Sequence, residues 1–183
     1  MQRTGFTLPE LLVSLSVAAT LTALVAPSFM SLVRDQQANT TANRLLVDLH
    51  MARSEAVTRG VDVFLCKGSA SGGCATTGGW HQGWLAFSAP DGASNCVDAD
   101  NDAHCDGHRG EILSVHTTVE SGLSITGNGL LASRARFHPT GFSTGYAGTL
   151  SICSAASDVR DRGFVLSMSG RIRKAKSDDL NCP

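Results

Sequence analysis

Residues 5–33 read GFTLPELLVSLSVAATLTALVAPSFMSLV, and this stretch decides the architecture of the whole chain. From Leu11 to Val33 no side chain carries a charge, and one acid, Glu10, opens the run. At about 1.5 Å rise per residue, a helix of this length spans the roughly 30 Å hydrocarbon core of a bilayer. The residues before it, MQRTG, are polar and hold one positive charge, Arg3. A removable secretory signal would place its cleavage site after the apolar run, behind small residues. Here Ala23-Leu24-Val25-Ala26 makes a poor site and Pro27 follows at once. A plain anchor has no use for Glu10, because an ionisable group in lipid is costly and marks a function. Pro27 lies inside the run, where a missing N–H predicts a kink or local melting of the helix.

Beyond Arg34 the pattern becomes one-sided. Ala38, Ala42, Leu45, Leu49, Ala52 and Ala56 recur at alternating spacings of four and three, which is one helix face. Arg44, Asp48, Glu55 and Arg59 form the charged remainder, and Gly60 is placed to end the helix. One helix is therefore expected over residues 6–59, apolar all round at first and then amphipathic. Segments 61–66, 84–87, 112–119, 135–138, 149–153 and 163–167 are strand candidates, separated by turns rich in Gly, Ser, Asp and Asn. The expected class is α+β, a long N-terminal helix packed on an antiparallel β-sheet head.

With 42% hydrophobic and 17% charged residues, the chain has an ordinary folded composition. Its net charge of -1 hides an asymmetry. Residues 34–120 hold 6 basic and 11 acidic side chains, and residues 134–176 hold 8 basic and 2 acidic. Six cysteines occur, Cys66, Cys74, Cys96, Cys105, Cys153 and Cys182, none in a CxxC pair, which argues against zinc. Proximity suggests pairing 66–74, 96–105 and 153–182, and disulfides would place the head in an oxidising compartment.

At its N-terminus the chain resembles a known family. Gly5-Phe6-Thr7-Leu8-Pro9-Glu10-Leu11-Leu12 is similar to the prepilin motif of type IV pilins and type II secretion pseudopilins. The resemblance implies cleavage between Gly5 and Phe6 by a prepilin peptidase/N-methyltransferase. It also implies pairing of Glu10 with the Phe6 amine of a neighbouring subunit, in keeping with the need of a carboxylate for a partner in an apolar core. Residues 1–5 are then a leader, 6–33 a transmembrane and filament-core helix, and 34–183 a periplasmic head. The chain is expected to cross the bacterial inner membrane once with its N-terminus cytoplasmic, and to assemble with other major and minor pilins. Pro9 departs from the aliphatic residue usual in the motif, but a first helical turn tolerates it.

The head resembles the GspH/FimT group of minor pilins and pseudopilins more narrowly. The similarity rests on Ala52-Arg53-Ser54-Glu55-Ala56, Gly83-Trp84-Leu85-Ala86-Phe87, Phe137-His138-Pro139-Thr140-Gly141 and Gly170-Arg171-Ile172-Arg173. In FimT-type members from transformable bacteria, a GRxR element binds extracellular DNA, so the resemblance nominates Arg171 and Arg173, with Lys174 and Lys176 beside them. Alternation puts Arg171 and Arg173 on one strand face with Ile172 opposite. Forked guanidiniums suit phosphates, and Arg134, Arg136, Arg160 and Arg162 are candidates to extend the patch. Few aromatics lie nearby in sequence, which favours double-stranded DNA held by its backbone. The competing reading is a subunit contact or a charged edge strand that resists aggregation.

No spacing of the six histidines or of the serines makes a catalytic constellation, and nothing calls for a cofactor. The acidic loop Asp98, Asp100, Asp102 and Asp106 starts with the spacing of a calcium loop. It then departs from it, with Ala103 where glycine is required and Glu111 too far along. The alternative is an acidic hairpin tip pinned by Cys96 and Cys105.

Overall fold

The computed structural model describes residues 7–119 and 122–182, with the backbone alone at residues 23–28. The expected processing site, Gly5 and Phe6, lies outside the described residues. A single helix, α1 (Leu8–Arg59), runs for 52 residues, about 78 Å at the α-helical rise. Pro9 sits in its first turn, and Gly60, at φ 68°, ends it by donating its N–H to the Ala56 carbonyl. The helix continues without a break across position 27, so the expected melting does not occur.

The first part of α1 stands clear of the head. Leu8, Leu11, Leu12, Val13, Leu15, Val17 and Leu21 are all exposed. Its hydroxyls turn inward on the helix: Ser14 donates to the Glu10 carbonyl, Thr20 to Ser16 and Thr22 to Ala18. Each polar hydrogen is thereby satisfied within the helix, leaving an outer surface fit for an apolar environment. Among the described residues no helix is long and apolar enough to cross a membrane. Residues 23–28 fall inside the expected span of 6–33.

The second part of α1 is the spine of the head. Ala38, Ala42, Leu45, Leu49, Ala52 and Ala56 are buried, as their spacing predicts. Asp48, one of the charged residues outside the apolar spacing, is also buried. It sits one position before Leu49 at the edge of the same face, where Trp84 Nε1 donates to its Oδ2 at 2.7 Å and His116 Nε2 lies 2.9 Å away.

Among the described residues nine strands follow, in two antiparallel sheets rather than one. The five-stranded sheet is built on β1 (Asp62–Ser69), which pairs with β2 (Gly73–Cys74), β3 (Trp84–Ala89) and β6 (Arg134–Phe137), while β4 (Ile112–His116) flanks β3. The four-stranded sheet has the order β5 (Leu123–Gly127), β7 (Gly148–Ser154), β8 (Arg162–Leu166), β9 (Ile172–Lys174). Both sheets give side chains to one core against α1, including Val63, Leu65, Trp84, Ile125, Leu150 and Phe164.

Strands β1 and β3 are buried on both faces. Their alternate residues Phe64, Cys66, Leu85 and Phe87 point away from α1 into a second core with Cys96 and Cys105. Residues 90–111, with the Cys96–Cys105 disulfide, roof this face of the sheet. Disulfides also join Cys66 to Cys74 and Cys153 to Cys182. Among the described residues every buried hydrophobic side chain lies at Ala38 or later, so the head has a core of its own.

Candidate functional site

The basic C-terminal segment folds as the hairpin from β8 to β9, at the edge of the four-stranded sheet. Ile172 packs toward the main core while Arg171 and Arg173 are exposed, as alternation requires. The turn is set by Gly170 at φ 73°, whose N–H reaches the Ser167 carbonyl at 2.9 Å. A Cβ at this position would collide with the Gly141 carbonyl oxygen, which identifies the glycine as a steric requirement of the turn. Arg53, from α1, holds both partners: its Nε donates to the Gly141 carbonyl at 3.1 Å and its Nη2 to the Ser169 carbonyl at 3.4 Å. Three sequence motifs far apart in the chain thus meet at Arg53, Gly141 and Gly170.

The four candidate DNA-binding residues are not equivalent. Among the described residues the Arg171 guanidinium has no hydrogen-bond or ion-pair partner, and neither has the side-chain amine of Lys174 or Lys176. Arg173 instead pairs with Asp179 at 2.8 Å. That guanidinium, aided by the Lys176 N–H, holds the Asp179 carboxyl below the usual aspartate range. The segment is fixed at its far end by Cys153–Cys182 and by the Asn181 N–H on Ser151 Oγ at 2.9 Å.

Three of the four other candidate arginines, Arg134, Arg136 and Arg162, do not enlarge the patch, whereas Arg160 is exposed and lines one hollow with Ala175 and Ser177. Arg134 and Arg136 lie on β6, in the other sheet. Arg134 donates to the Ser94 carbonyl at 2.6 Å, and Arg136 pairs with Asp62 at 2.5 Å and covers the Phe64 ring. Arg162 pairs with Asp35 of α1 at 2.5 Å and also donates to the Arg160 carbonyl. It holds the Asp35 carboxyl below its ordinary value. Much of the positive charge counted in this third of the sequence is therefore spent inside the fold, through partners that a sequence pattern does not reveal.

In the acidic loop, carboxylate oxygens of Asp98, Asp100 and Asp102 approach within 4.8 Å of one another. Asp98 is buried and already accepts the N–H groups of Asp102 and Ala103, and Asp106 accepts that of Ala99. The Asp102 charge holds the Asp100 carboxyl above its usual value. Ala103 adopts φ 66°, the left-handed conformation for which a calcium loop uses glycine. The aspartates thus already serve to fold the loop. Glu10, in the first turn of α1, is exposed, and the Thr7 hydroxyl donates to its carboxylate at 3.4 Å.

The family model of the type II transport protein GspH matches residues 41–170. This chain belongs to the GspH family. The match begins inside α1 and ends at Gly170, so Arg171 and Arg173 lie just beyond it. Among solved structures, the GspH-family chain is similar to the type IV minor pilin FimU of Pseudomonas aeruginosa, at 21% identity and TM-score 0.55, over 82% of this chain and 94% of that one. A second crystal form of FimU gives TM-score 0.52 over 76% and 94%. The minor pseudopilin EpsH of Vibrio cholerae is similar at 15% identity and TM-score 0.49, over 76% of this chain and 96% of that one. Compared with curated protein sequences, the chain has no significant match. The long helix on antiparallel sheets is thus the pilin fold, and the GspH-family chain is a type IV pilin-like protein.

Proposed function

We propose that this protein is a minor pilin or pseudopilin that binds extracellular DNA through the β8–β9 hairpin. The observation that carries the DNA reading is the unpaired Arg171 guanidinium on a turn braced by Arg53, with Lys174 and Lys176 following it. In this reading the prepilin peptidase removes residues 1–5, residues 6–33 sit in the inner membrane and then in the filament core, and Glu10 takes the Phe6 amine of a neighbour. The exposed apolar side chains of residues 8–22 support that placing, since they need lipid or other helices around them.

Gel shifts of the head, residues 34–183, with and without Arg171→Ala and Arg173→Ala test the DNA reading. Three unpaired cations predict a log–log salt slope of about -3. Unchanged shifts in the double variant would refute it. The second reading is a structural subunit that primes filament assembly without DNA. The neutralisation of Arg136, Arg162 and Arg173 by carboxylates favours that alternative. Both readings share one requirement: Glu10→Ala should abolish incorporation into filaments.

A further inference from the structure

Phe142 stands beside the DNA-binding turn, and a linear reading of the sequence does not bring it there. Residues 141–143 run antiparallel to residues 168–170: the Ser143 N–H donates to the Met168 carbonyl at 2.9 Å, and Gly141 packs on Gly170. Phe142 lies between these two contacts, and its own carbonyl accepts the His138 N–H at 2.8 Å. Its backbone is therefore fixed on both sides. Its side chain is 51% exposed and belongs to neither hydrophobic core. Met168, 62% exposed, lies on the paired segment, and Val57, 53% exposed, lies against the neighbouring Gly141. Two basic groups belong to this region: Arg53 lies against Gly141 and Gly170, and Arg171 follows Gly170 on the turn. Arg53 is bonded only to carbonyl oxygens, and Arg171 has no partner among the described residues.

We propose that Phe142 and Arg171 together make this surface a site for single-stranded DNA. The phenyl ring stacks on an unpaired base while the guanidinium takes an adjacent phosphate. The inference rests on the DNA-binding reading above and narrows it from DNA in general to DNA with free bases. An exposed flat ring on the segment paired with a turn that carries a cation without a partner suits a nucleotide, which offers an aromatic face and an anion a few ångströms apart. A closed duplex keeps its bases stacked inside, so it offers the arginine its phosphates but leaves the ring without a partner. Holding the ring on a doubly bonded turn means that little freedom is lost when a base settles on it.

The test is fluorescence anisotropy on the full-length chain in detergent micelles, with a labelled oligothymidylate and a blunt duplex of equal length. Phe142→Ala should weaken single-strand binding about 10-fold and leave duplex binding unchanged. Phe142→Tyr should restore the single-strand affinity. Arg171→Ala with Arg173→Ala should weaken both together. Because Phe142 is outside both cores, the melting temperature of Phe142→Ala should match that of the parent. If Phe142→Ala alters neither affinity while the arginine variant lowers both, the stacking claim is overturned and the DNA reading stands. If neither variant alters either affinity, the DNA reading falls and takes this inference with it. If Phe142→Ala keeps DNA affinity but loses filament incorporation, the patch is a subunit contact and the proposal is wrong.

Discussion

Gly170→Ala is the substitution on which the geometry of the hairpin makes the sharpest demand. Two costs combine. Alanine at φ 73° meets the left-handed penalty of about 1–2 kcal/mol. The new methyl also strikes the Gly141 carbonyl, a backbone atom held by Arg53 and unable to swing aside. Overpacking of that kind costs about 1–3 kcal/mol. Together they give about 2–5 kcal/mol, or a fall in melting temperature of about 4–20 °C for a domain of this size. The control is Gly145→Ala. Gly145 has a similar φ of 83°, but a Cβ there meets nothing within 4 Å. It should lose only the backbone share, about 1–2 kcal/mol. Chemical denaturation of the head followed by circular dichroism measures both variants. Equal destabilisation of the two would refute the claim that the Gly141 contact dictates glycine here. In the proposed DNA-binding reading, the glycine of the GRxR element shapes the turn and the contact with DNA is left to the arginines.

Three further outcomes follow from the same structure. Leu49→Ala, at a fully buried position between α1 and the sheets, should cost the head about 2–5 kcal/mol in urea unfolding. Replacing both Cys153 and Cys182 by serine opens a loop with a sequence separation of 29. Loop entropy predicts a loss of about 3–4 kcal/mol, read as a lower denaturation midpoint that reductant no longer changes for this pair. Asp179 has a folded pKa below its unfolded one because Arg173 donates to it. Its contribution to stability is thus present above the unfolded value and fades as the pH falls through the folded one. Carboxyl-carbon NMR should show Asp179 titrating below ordinary aspartate in the parent and moving up in Arg173→Ala; an unmoved midpoint would remove the ion pair from the account.

The extent of the helix from Leu8 to Arg59 was legible from the chain, because a period of 3.6 over two types of surface leaves few other solutions, but its continuity through Pro27 and the burial of Asp48 were not. The alternation of Ala38, Ala42, Leu45 and their successors names the buried face, and Gly60 names the end. Strands rich in β-branched and aromatic residues were equally plain. Those that escaped are short or weakly patterned: β2 has two residues, and β5 (LSITG) carries little apolar signal. The division into two sheets was hidden too, since it depends on which strand lies beside which. At the site, sequence located Arg171 and Arg173 but not their difference. Asp179 is only six residues from Arg173, yet pairing required the chain to turn back through a 3₁₀ segment at Ser177–Asp179. Phe142 and Arg53 come to the hairpin from other elements, a proximity that no local pattern encodes.

The grip of Arg53 has a mechanical side. Arg53 belongs to the same unbroken helix whose other end is at Leu8, and its guanidinium holds the loops on both sides of Gly170. A load applied at Arg171 therefore reaches the shaft through side-chain bonds as well as through the sheet, with no flexible joint in between. On the opposite side, the Cys153–Cys182 bridge ties the end of the same segment covalently to β7. The hairpin is thus fastened at two points, by side-chain bonds to a rod about 78 Å long and by a covalent bond to the sheet packed on it, so a pull on Arg171 would strain both fastenings together rather than peel β9 away alone.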